Sequence, residues 1–117
     1  MRLRPEMLES AYEYLRTTQP FRSHKLPDPD DLEFRITRHR DRYGHFDDGD
    51  DERDYRIIAI SEIHVKTGAQ LIETMAHEIA HLVLHQQGCR EWDDHGRAFQ
   101  ALARMICRAH GFEMERF

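Results

Sequence analysis

Two histidines stand four residues apart, with a glutamate directly after the first, in the stretch TMAHEIAHLVLHQ from Thr74 to Gln86. On a helix of 3.6 residues per turn, His77 and His81 lie one turn apart, roughly 40° in azimuth and ~6 Å along the axis, so both imidazoles reach a single metal ion. Glu78 is angled toward the same side, where a carboxylate accepts a proton from a metal-bound water without being a ligand itself. The spacing therefore predicts two ligands, His77 and His81, and a general base, Glu78. Catalytic zinc takes three protein ligands and keeps a further position for water. The third predicted ligand is His95 in DDHGRAF, at the start of another helix and on the same face as Ala98, Phe99 and Leu102, so that it points inward. Gly96 beside it is expected to permit close backbone approach.

These residues need elements to hold them. Ile72, Met75, Ala76, Ile79 and Val83 form one apolar face, expected to be buried opposite the histidine pair, with Gly88 as C-cap. The last helix buries Ala98, Phe99, Leu102, Ala103 and Ile106, has Asp93 or Asp94 as its N-cap and runs to Gly111. Upstream, Met1 to Thr18 reads as a helix with Leu3, Met7, Leu8, Ala11, Tyr14 and Leu15 on one face. Leu32, Phe34 and Ile36 alternate with polar residues, which predicts a half-buried strand continuing to near Arg42. Short strands are expected at Tyr43 to Phe46 and Tyr55 to Ile60, and a fourth at Glu62 to Val65. Together they suggest an antiparallel meander with an acidic turn from Asp47 to Asp54, and an α+β fold overall.

The segment ETMAHEIAHLVLHQQGCREWDDHGRAFQALARMI resembles the SprT-like (SprT/Spartan) family of zinc metalloproteases, with the motif resemblance running from Ala59 to Ile106. It implies a small zincin-like domain with Zn2+ as cofactor, His77, His81 and His95 as ligands, Glu78 as base, and a protein or peptide as substrate. Family members that act on DNA-associated proteins often carry a zinc ribbon or basic module; this sequence has no CxxC pair, so a DNA-associated context is implied only as one option. Two other readings stay open. HEIAHLVLH also resembles the ImmA/IrrE regulator-cleaving peptidases, which implies a downstream glutamate as third ligand, Glu91 being the best placed. Alternatively, the site staples a non-catalytic binding module, with Glu91 or Asp94 filling the fourth position. A metzincin pattern would need Gly at 84 and His at 87, where Leu84 and Gln87 stand.

Composition narrows the rest. A chain of 117 residues predicts a single domain over 1–117, and 39% hydrophobic with 33% charged residues fits a solvated globule. With a net charge of −5, nothing global draws the chain to nucleic acid. There is no transmembrane run and no signal-like apolar stretch at Met1 to Ser10, which predicts a cytoplasmic location without membrane contact. Cys89 and Cys107 are expected to be free thiols, and no residue pattern specifies an oligomeric state. His85 is expected to be a solvated helix residue, and His24, His39 and His64 structural or surface groups. Tyr43, His45 and His110 are three alternatives for the electrophile that stabilises a tetrahedral oxyanion. Arg38, Arg40 and Arg42 alternate as the charges of a guarded edge strand.

Overall fold

Pro5 opens the first helix, α1 (Pro5–Arg16), in the computed structural model, which describes residues 1–49 and 55–117. Proline suits that place because its missing N–H is one that a helix start leaves unpaired in any case. The buried face is Leu8, Ala11, Tyr12 and Leu15, whereas Tyr14 is 52% exposed. Tyr12 thus takes the inward place expected of Tyr14, and its hydroxyl donates to the Pro27 carbonyl at 2.6 Å, which satisfies the polar tip of a ring otherwise in the core.

Three strands follow: β1 (Leu32–Thr37), β2 (Gly44–Asp47) and β3 (Arg56–Ser61). Their order is β1-β3-β2, with β1 parallel and β2 antiparallel to β3, so the expected antiparallel meander is a mixed sheet instead. Hydrophobic patterning accounts for the order. Ile57 to Ile60 is an unbroken apolar run, buried throughout, and such a run belongs in the middle of a sheet with both faces covered. The alternating β1 and the short β2 take the edges. Phe34 and Ile36 on β1 lie in register with Ile58 and Ile60 and pack into the same core.

β1 stops at Thr37. Arg38 to Tyr43 form a loop, clasped to the turn at 62–64 that replaces the expected fourth strand. The Ser61 hydroxyl donates to the His39 carbonyl at 2.6 Å, His64 Nε2 donates to the Arg40 carbonyl at 2.6 Å, and Arg38 pairs with Glu62. The arginines therefore guard no strand. Of the expected acidic turn, residues 50–54 lie outside the described residues.

Helix α2 (Gly68–Gln86) begins with a reciprocal cap: Thr67 Oγ1 accepts from the Gln70 N–H, and the Gln70 side chain accepts from the Thr67 N–H. Gly88, at φ +76°, ends it in the left-handed region where glycine carries no Cβ penalty. α2 is buried on most of its circumference and packs against α1, the sheet and the last helix, α3 (Arg97–His110). The N-cap of α3 is Gly96, without a side-chain cap, so neither Asp93 nor Asp94 has that role. A Cβ at Gly96 would meet nothing within 4 Å, so the close approach expected there does not occur. Among the described residues no helix is long and apolar enough to cross a membrane.

Candidate metal centre

α2 carries His77 and His81 on one side, and the loop that precedes α3 brings His95 to face them. His95 Nε2 lies 3.1 Å from the Nε2 of His77 and 3.1 Å from that of His81. The other ring nitrogens are held by main-chain oxygens: His77 Nδ1 donates to Phe117 O at 2.5 Å and His81 Nδ1 to Trp92 O at 2.7 Å. This assigns the protons to Nδ1 and leaves two Nε2 lone pairs aimed at His95, whose own Nε2 can offer at most one proton. A cation at the common focus resolves that conflict. Nitrogens bound tetrahedrally at ~2.0–2.1 Å from one ion stand about 3.3 Å apart, close to the separations seen here, so the trio fits a divalent metal. Main-chain carbonyls behind ligating imidazoles are the usual way that tautomer and ring orientation are fixed.

Among the described residues the convergent group consists of His77, His81 and His95; Glu91, Asp94 and Glu78 are not in it. A fourth protein ligand of the kind that closes structural sites is therefore absent from the group. Phe99 packs against all three rings, with centroids 4.7 to 4.9 Å away.

Burial sets the electrostatics. Glu78 is 4% exposed, and loss of hydration pushes its carboxyl up to about 8, with Arg42 opposing and Asp93 reinforcing the rise. Burial likewise lowers His77 to about 4, helped by the neighbouring His81 and His95 and opposed by the Phe117 oxygen. His81 is lowered chiefly by burial as well. Both imidazoles are thus kept neutral, the form that binds a metal.

The trio and Glu78 sit between two adjoining cavities. One, of about 720 Å³, is lined by Tyr43, Gln70, Glu73, Arg116 and Phe117 among others; the second, of about 460 Å³, by His45, Asp47, Asp48, Trp92 and Asp93. Arg42, Gly44, His77, Glu78 and His95 border both. Gly44 is required by sterics, since a Cβ there would lie 2.8 Å from the Ala59 oxygen, 3.1 Å from Thr74 Cγ2 and 3.3 Å from Glu78 Oε2. Only a residue without a side chain lets β2 run this close to α2. The Ser61 N–H donates to the Tyr43 carbonyl at 2.7 Å, which fixes the antiparallel phase: His45 and Asp47 bond toward β3, and Gly44 and Phe46 turn their main-chain N–H and C=O outward along the cleft.

Of the other residues singled out by sequence, Tyr43 lines the larger cavity, stacked on His64 at 4.6 Å, and His45 lines the smaller. His110 borders neither; it contacts Thr18 and stacks on Phe112. His85 is not simply solvated, for it sits edge-on against Phe46 and Trp92 and lies 3.6 Å from Asp48. The Gln87 side chain lies 3.3 Å from His24 Nδ1, and the His24 carbonyl accepts from Gln86, so His24 braces the end of α2. Both cysteines are free. Residues that sequence reasoning passed over are Gly44, Glu73, Trp92 and Phe117, and Arg42, expected on an edge strand, borders both cavities instead. A lone glycine opening a strand was the only signal for the first, and main-chain oxygens leave no signal at all.

Comparison with known proteins gives one match. The model of the SprT-like family covers residues 11–117, which extends the likeness upstream of the histidine motif through the sheet and into α1. No curated protein and no solved structure matches the chain. Over nearly its whole length, the chain belongs to the SprT-like family.

Proposed function

We propose that the protein is a zinc-dependent endopeptidase with a zincin-like catalytic helix, acting from one domain on extended segments of protein substrates, DNA-associated proteins among them. The observation that carries this reading is the convergence of three imidazole Nε2 atoms beside a buried carboxylate, Glu78, that lies outside the ligand group. His77, His81 and His95 would hold the ion. Bound there, zinc would supply Lewis acidity, drawing the pKa of a water toward ~7 and polarising the scissile carbonyl.

The chain's own groups do the rest. Glu78 accepts the proton that the attacking water loses and delivers it to the leaving amine nitrogen. The outward N–H and C=O groups of Gly44 and Phe46 pair with an extended peptide laid against β2, and this main-chain recognition asks little of the sequence bound. Tyr43 and His45 border the cleft, and either would supply a donor to a developing oxyanion.

The test pairs elemental analysis with cleavage of an unstructured protein, with and without single-stranded DNA. Stoichiometric zinc in wild type, loss of zinc in His95→Ala, and loss of cleavage with zinc retained in Glu78→Gln is the expected result. Cleavage by wild type that survives Glu78→Gln overturns the assignment of the base. Bound zinc without cleavage under either condition transfers the site to a binding module.

A further inference from the structure

The segment that follows α3 returns to the metal centre along a defined route. Gly111, at φ +77°, reverses the chain, and the Gly111 and Phe112 N–H groups both donate to the Cys107 carbonyl, at 2.8 and 3.1 Å. Phe112 packs against the core. One further turn, closed by the Arg116 and Phe117 N–H groups on the Glu113 carbonyl, brings two residues onto successive turns of α2. The Arg116 guanidinium pairs with Glu73 Oε2 at 3.2 Å, and Phe117 O accepts from His77 Nδ1, four residues further along the same helix. The Phe117 ring lies against His77 (5.3 Å), Phe99 (6.0 Å) and Phe112 (6.1 Å), so aromatic packing fixes where its main-chain oxygen can be.

We infer that residues 111–117 are a positioning strap for the metal centre: Phe117 sets the tautomer and ring plane of His77, and the Arg116–Glu73 pair latches the strap in place. The inference rests on His77, His81 and His95 forming one metal site. His77 is the ligand that needs such help. His81 is held by Trp92 in the loop immediately after its own helix, whereas the acceptor for His77 is 40 residues away in sequence and depends on the strap. The latch has a chemical signature, since Glu73 Oε2 is paired while Oε1 is buried with no partner among the described residues, so losing Arg116 removes the partner of Oε2 beside the cleft.

The experiment measures zinc affinity by chelator competition and the visible spectrum of the Co2+-loaded full chain for wild type, Phe117→Ala, Arg116→Ala and Arg116→Lys, with the metal-free melting temperature as a folding control. Removing a partner behind a ligating imidazole typically weakens metal binding about 10–100-fold. Phe117→Ala keeps the main-chain oxygen but removes the ring contacts that place it, so it should weaken binding toward that range and alter the Co2+ bands. Arg116→Ala should weaken binding less, and Arg116→Lys, which keeps the charge, should recover most of the loss. Arg116 is exposed, so its variants fold even where Phe117→Ala does not. Affinity within twofold of wild type and unchanged Co2+ bands in the folded variants overturn the strap while leaving the metal site standing; no stoichiometric metal on wild type overturns both.

Discussion

His77, Glu78 and His81 lie on a helix buried on most of its circumference, whereas His95 stands exposed just ahead of α3, beside a glycine cap with open space where a side chain would be. The two halves of the centre are built to different tolerances. On α2, core packing and the reciprocal cap hold the helix, main-chain oxygens hold the two imidazoles, and burial shifts the ionisation of His77, Glu78 and His81. At His95, the exposed ring rests on Phe99, a core side chain of α3. Embedding one half in the core makes it rigid and dry but ties its chemistry to the stability of the fold; leaving the other half at the rim lets the centre open to substrate and ion.

The sharpest way to break this contrast is to remove one histidine from each half. His81→Ala should abolish stoichiometric metal binding and also cost the metal-free protein about 2 kcal/mol, the usual scale for emptying a packed site. His95→Ala should lose the metal equally and leave metal-free stability within about 0.5 kcal/mol. Urea unfolding of both apo variants reads the difference, and equal costs would dissolve the distinction. The glycines offer a second pair. Gly44→Ala drives a methyl against the Ala59 oxygen and should destabilise by about 1–2 kcal/mol and depress cleavage through displacement of β2, whereas Gly96→Ala should change melting little. Thr67→Ala, which removes one arm of the cap under the rigid half, should lower stability by about 1 kcal/mol.

The finest effect is a slope with pH in the metal-free protein. The Glu78 carboxyl is raised from 4.5 to about 8, so its contribution to stability is complete below pH 4.5 and is lost as pH rises toward 8. His77 is lowered from 6.5 to about 4, so its contribution is complete above pH 6.5 and is lost as pH falls toward 4. Glu78→Gln should therefore raise the apo melting temperature more at pH 8 than at pH 5. Equal gains at the two pH values would show that Glu78 is better solvated than its burial indicates.

The histidine helix was readable because period, cap glycine and chemistry coincide in one short run. The three histidines do come together, but His95 stands in the loop ahead of the Gly96 cap, not at the start of the last helix where the sequence suggested it. What sequence could not give was order in space. Alternation at Leu32 to Ile36 marks a strand but not its neighbour, and the central place of β3 follows only once its unbroken Ile57 to Ile60 run is weighed against the edges. Tyr12 and Tyr14 offer the same ring to a helix face, and the choice between them is made by the Pro27 carbonyl, 15 residues away. Gly44 and the carbonyls of Trp92 and Phe117 act through backbone position, to which residue identity is nearly blind.

The phase of β2 has a consequence for how its amides trade hydrogen with water. With His45 and Asp47 bonded inward to β3, their protons should exchange only when the sheet opens, while those of Gly44 and Phe46, turned away from β3, should exchange faster. The strand carries a two-residue rhythm of slow and fast sites. A peptide seated along its outer edge would silence that rhythm, so isotope exchange at these four amides reports occupancy of the cleft even when no bond is cut.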